Sequence, residues 1–102
     1  MNGNLQFYTS LTDWSDRDEA AVLKMQHTER AELAKTITCA GLLVDLSMDQ
    51  HAEVRESVAK NSFTPLNTLK RLAEEDLCTS IQNAAEETLE AIQNQPVPKN
   101  FQ

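Results

Sequence analysis

DQHAEVRESVAKNSFTPLNTLKRLAEED, residues 49–76, contains one full structural unit, and the rest of the chain reads as copies or trimmings of it. Val54, Val58 and Ala59 fall at helical spacing, Asn61 to Pro65 interrupt the pattern, and Leu66, Leu69, Leu72 and Ala73 resume it. The stretch therefore predicts helix, corner, helix. The corner has its own chemistry: Asn61 tolerates the left-handed conformation that ends a helix, Thr64 suits an N-cap, and Pro65 suits the first helical position.

Upstream, ERAELAKTITCAGLLVDLSMD can be laid beside this unit. Arg30 falls opposite Arg55, Ala34 opposite Ala59, Thr38 opposite Thr64, Leu42 opposite Leu69 and Asp49 opposite Asp76. The offset grows from 25 residues at Arg30 to 27 at Asp49, as small insertions in and after the corner would produce. Downstream, DLCTSIQNAAEETLEAI repeats the opening of the unit 27 residues on, with Ile81 opposite Val54, Gln82 opposite Arg55 and Ala85 opposite Val58. Roughly two and a half units follow one another, the pattern of a short helical solenoid.

Before the repeats, LTDWSDRDEAAVLKMQH starts a helix that Ser15 or Asp16 can cap. Ala21, Val22 and Met25 form its apolar stripe, Trp14 packs as a staple, and His27 falls at its C-terminal end. After them, Leu77, Ile81, Ala84, Ala85, Leu89 and Ile92 line one face of a last helix, with Gln82, Glu86, Glu87 and Glu90 facing away. Thr79 and Gln82 have capping-box spacing. The expected organisation is an extended arm over residues 1–12, one helical-repeat domain over 13–93, and a flexible tail over 94–102 containing Pro96 and Pro98.

Composition agrees with this reading. Apolar residues make up 40% of the 102-residue chain but aromatics only 5%, so the core must be built from Leu, Val, Ile and Ala. Two glycines and three prolines leave few breaks, and alternating strand patterns are missing. The fold class is all-α, a short array of about five or six helices.

Sixteen acidic residues against nine basic ones give a formal charge of −7, which disfavours direct nucleic-acid binding and attracts basic protein surfaces. Cys39 and Cys78 belong to no metal-binding spacing, alone or with His27 and His51, so two reduced, helical, partly buried thiols and no cofactor are expected. There is no basic-then-apolar leader and no run of about 18 apolar residues, which reads as a soluble cytoplasmic protein with no membrane partner.

VRESVAKNSFTPLNTLKRLAEED resembles the unit of the leucine-rich repeat variant family, related in shape to HEAT-like and armadillo-like helical repeats. Val54, Arg55, Val58, Ala59, Asn61, Thr64, Pro65, Leu69, Leu72, Ala73 and Asp76 carry the resemblance. The preceding unit departs from it with Glu29 in place of Val and Cys39 in place of Pro, and the following one with Gln82 in place of Arg. The resemblance implies stacked short helices with a right-handed superhelical drift that serve as an interaction surface. Some members carry a cysteine-bound iron–sulfur cluster ahead of the repeats; no cysteine cluster precedes them here, so that cofactor is not carried over.

The candidate sites follow from the recurrence. Arg30, Asp49, Arg55 and Asp76 fall where an Arg of one unit can hold an Asp beside the next helix start, a structural ladder. Neither histidine has a nucleophile or carboxylate at fixed spacing, and no nucleotide motif is present, so no enzyme is expected. Acidic clusters remain: Asp13, Asp16, Asp18 and Glu19; Glu74, Glu75 and Asp76; Glu86, Glu87 and Glu90. The leading expectation is a non-catalytic protein-interaction module binding a partner through its repeat face or its acidic patches, with Glu74, Glu75, Asp76, Glu86, Glu87 and Glu90 as the candidate partner-binding residues. The alternative is a small acidic inhibitor, of the kind phages and mobile elements encode, that mimics nucleic-acid charge. A third reading makes the apolar stripe of the last helix a homodimer seam.

Overall fold

The computed structural model describes residues 15–94, and within them the chain is all-helical, with no strand. Six helices follow in order: α1 (Asp16–Leu23), α2 (His27–Ala34), α3 (Ala40–Leu46), α4 (Ala52–Lys60), α5 (Leu66–Glu75) and α6 (Thr79–Gln93). The arm expected over residues 1–12, the Trp14 staple and all but the first residue of the tail expected over 94–102 lie outside the described residues.

Ser15 caps α1 through a reciprocal box: its hydroxyl accepts from the Asp18 N–H, while the Asp18 carboxylate accepts from the Ser15 N–H at 3.1 Å. This helix stops at Leu23, short of the predicted end at His27, which instead opens α2. The carbonyls left open at this end find a side-chain partner: the Arg30 guanidinium takes those of Leu23, at 3.4 Å, and Met25.

The layout of α2, α4 and α6 uses the sequence offset. Their first residues are 27, 52 and 79, and α4 lies between the other two, packed on both. Helix α3 packs on α2 and α4, while α5 finds its main partner in α6. A single core joins all six helices, with Val22, Leu33, Leu43, Val58, Leu69 and Ile81 among its fully buried members. It contains no aromatic residue among the described residues.

The corner after α4 differs in detail from its sequence reading. Asn61 ends the helix with φ −88° and ψ 118°, an extended rather than left-handed conformation. It is buried because its side-chain amide donates to the carbonyls of Ala34 and Ile37, both at 2.9 Å, at the end of α2. Its Oδ1 accepts from the Phe63 N–H at 2.8 Å. Thr64 is not the N-cap: its hydroxyl donates back to the Val58 carbonyl at 2.8 Å, and Pro65 occupies the cap position one residue before the helical turn predicted for it.

Two apolar positions were also misplaced. Leu66 is 49% exposed, and Leu77, expected on the buried stripe of the last helix, precedes α6 and is 95% exposed. No capping box forms at Thr79. Cys78 is the N-cap, and Gln82 reaches instead to the Asp76 carbonyl at 2.6 Å. Cys39 and Cys78 are free, half-buried thiols at helix caps rather than inside helices. Among the described residues no helix is long and apolar enough to cross a membrane.

Candidate functional site

Arg30 and Arg55 sit in the first turns of α2 and α4, and each grips the aspartate that follows the next short helix. Arg30 Nε donates to Asp49 Oδ2 at 2.7 Å and Nη2 to Oδ1 at 3.3 Å. Arg55 repeats this fork on Asp76 at 2.9 and 3.5 Å. Both pairs are largely shielded from water, with side-chain exposures of 11% and 8% in the first and 14% and 3% in the second. Paired charges in such shelter form strong, geometrically specific hydrogen bonds.

Each aspartate also orders the turn after it. Asp49 Oδ1 accepts from the His51 N–H and Asp76 Oδ1 from the Cys78 N–H, both at 2.9 Å, so these residues act two positions ahead of the N-cap rather than as the cap itself. Each guanidinium also bonds to main chain through Nη1, Arg30 to the Leu23 and Met25 carbonyls and Arg55 to the Asp49 carbonyl at 2.8 Å. Gln82, opposite Arg55 in the sequence, makes the equivalent bond with its amide to the Asp76 carbonyl and has no carboxylate to hold. At the far end of the helices Thr88 does for Ala59, at 2.6 Å, what Asn61 does for Ala34.

The ladder residues Arg30, Asp49, Arg55 and Asp76 are thus brought together in two clamps. Asp76, also expected to face a partner, is sheltered inside one of them, and its charge meets Arg55. Glu74, Glu75, Glu86, Glu87 and Glu90 are all exposed on α5 and α6, and none has an ion-pair partner among the described residues. Both arginines are occupied by the carboxylates they hold.

Burial would raise the Asp49 carboxyl, but hydrogen bonds from Arg30 and from the His51 backbone and ring, with the Arg30 charge, outweigh it and hold the group below its ordinary value. Asp76, hydrogen-bonded to Arg55, raises the guanidinium above its usual range against the effect of burial. A carboxyl lowered in the fold stabilises it above the unfolded-state value and loses that stabilisation as pH falls through the folded-state value. Urea midpoints recorded from pH 7 to pH 2 should therefore fall below about pH 4, and Asp49→Asn should be less stable at pH 7 with a shallower acid slope.

Sequence spacing did not reveal the pairing of the two histidines. The His27 and His51 rings stack with centroids 4.2 Å apart and planes 2° from parallel. His27 Nε2 lies 2.9 Å from Glu53 Oε1, and His51 Nδ1 lies 3.1 Å from Asp49 Oδ1 and 3.3 Å from Arg30 Nη2. Their 24-residue separation, close to the 25-residue offset of the first helices, was the available signal. Among the described residues no three His, Cys, Asp or Glu side chains gather as a metal site.

Two grooves lie on the surface of these helices. One of about 640 Å³ runs between α2 and α4, and its lysines are matched within it, Lys35 to Glu32 at 2.7 Å and Lys60 to Glu56 at 3.3 Å. The other, about 470 Å³, lies beside the second clamp. There Arg71 donates to the buried Ser47 hydroxyl between exposed Met48 and Leu77. Compared with known protein-family models, curated proteins and solved structures, the chain matches none of them.

Proposed function

We propose that the chain is a non-catalytic protein-interaction module, a HEAT-like helical-repeat array of the leucine-rich repeat variant type, that offers an acidic surface to a partner with a basic one. The observation that carries this reading is the division of labour among its charges. The carboxylates at the repeating positions, Asp49 and Asp76, are used inside the molecule, each held by the Arg of its own unit and ordering the turn into the next helix. Those outside the repeat pattern, Glu74, Glu75, Glu86, Glu87 and Glu90, are held out on the last two helices, which pack on each other. A rigid scaffold that keeps like charges exposed tolerates their mutual repulsion, and a basic partner would relieve it.

The same five carboxylates support a second reading, an inhibitor that occupies a nucleic-acid-binding groove by imitating phosphate charge. Cross-linking in the native host, with the wild type and a variant carrying Glu→Gln at positions 74, 75, 86, 87 and 90, tests both. A partner captured by the wild type and lost by the variant supports the acidic face; equal capture removes it. Binding by the captured partner that survives high salt unweakened would exclude charge mimicry and leave the interaction module.

A further inference from the structure

His27 opens α2 and His51 caps α4, so their stacked rings form a joint between two helices that pack side by side. Three charged groups face this pair among the described residues. Glu53 from α4 meets His27, and both Asp49 from the preceding turn and Arg30 from α2 meet His51. One proton on the pair sits on one ring, beside that ring's own carboxylate, Glu53 for His27 or Asp49 for His51. A second places two imidazolium charges face to face at 4.2 Å, with the Arg30 guanidinium 3.3 Å from one of them.

We propose that the stacked histidines are a proton-sensitive joint: charge on both rings loosens the Arg30–Asp49 clamp. Three cations, His27, His51 and Arg30, then face two carboxylates, Asp49 and Glu53. Arg30 and protonated His51 compete for the same oxygen, Asp49 Oδ1, which lies 3.3 Å from Nη2 and 3.1 Å from Nδ1. Because Arg30 also holds the Leu23 and Met25 carbonyls, loosening it frees the turn between α1 and α2.

The second clamp is a built-in control. Cys78 stands there in the place of His51, with its Sγ 3.7 Å from Arg55 Nη2, and a thiol gains no positive charge on acidification. Acid within the ordinary histidine range of about pH 5 to 8 should therefore open the α1–α2 end and leave the α5–α6 end intact. Asp49 keeps its charge across that range, because its carboxyl is held below the usual aspartate value.

The test is a histidine-ring NMR titration of the full chain from pH 8 to pH 5, with amide exchange corrected for its intrinsic pH dependence. Once both ring signals have moved, exchange in α1 and α2 should accelerate about tenfold relative to α5 and α6, the effect of about 1.4 kcal/mol of lost local stability. His27→Asn should show no acceleration. His51→Cys, which gives the first clamp the composition of the second, should also abolish the acceleration. Equal acceleration at the α5–α6 end, or acceleration that persists in His27→Asn, would overturn the proposal.

Discussion

Arg55→Ala is expected to destabilise the protein by about 3–5 kcal/mol, the cost of leaving one half of a sheltered ion pair without its partner. The deleted guanidinium joins three places at once: the Asp76 carboxylate, the Asp49 carbonyl and the Cys78 thiol. Asp76 would keep the bond from the Cys78 N–H but remain a charge with 3% of its side chain exposed and no cation beside it. A loss of this size is a large part of the roughly 5–15 kcal/mol that holds a domain of this kind together. Chemical denaturation of the wild type, Arg55→Ala, Asp76→Ala and the double variant measures it. The two single losses should exceed their share of the double, because removing both charges spares the cost of stranding either. An additive cycle would mean that the pair contributes nothing as a pair, whatever its geometry. Arg55→Gln should recover only the main-chain bond, since Gln82 makes that bond in the following unit without a carboxylate.

The clamps were legible because they recur. An Arg and an Asp returning at offsets of 25 and 27 residues are hard to explain by surface chemistry alone, and the structure pairs each Arg with the Asp that follows it. Helix content and the apolar faces of α4 and α6 were equally accessible, since Val54, Val58, Ile81 and Ala85 keep helical spacing and all are buried. Asn61 shows where local reasoning stopped. A turn-favouring residue at a helix end has a ready local explanation, whereas its actual partners, the carbonyls of Ala34 and Ile37, belong to another unit and carry no sequence mark of their own. The same holds for the break before His27. No Gly or Pro interrupts residues 24–26, and the carbonyls left open there are satisfied by Arg30, from the next helix. The exposed carboxylates could be listed from the sequence, but only the fold separates Glu74 and Glu75 from Asp76, which looks continuous with them and is turned inward.

Leu69→Ala should cost about 2–5 kcal/mol and Leu66→Ala under about 1 kcal/mol, although both leucines lie on the same helix at apolar positions of the same repeat pattern. Leu69 is fully buried in the common core, so truncation removes its buried methyl groups and leaves a cavity lined by side chains that cannot close over it. Leu66 opens α5 with 49% of its surface in water, and most of what truncation removes was never withdrawn from solvent. Pro65→Gly tests the corner separately. Its effect acts mainly through the freedom it returns to the unfolded chain, about 0.4–1 kcal/mol, because the native φ of −55° already suits proline. Urea denaturation of the three variants at one pH should therefore place Leu69→Ala well apart from the other two, with an unchanged slope. Equal losses at Leu66 and Leu69 would mean that α5 presents a different face to α6, and with it that Glu74 and Glu75 do not stand where a partner could meet them.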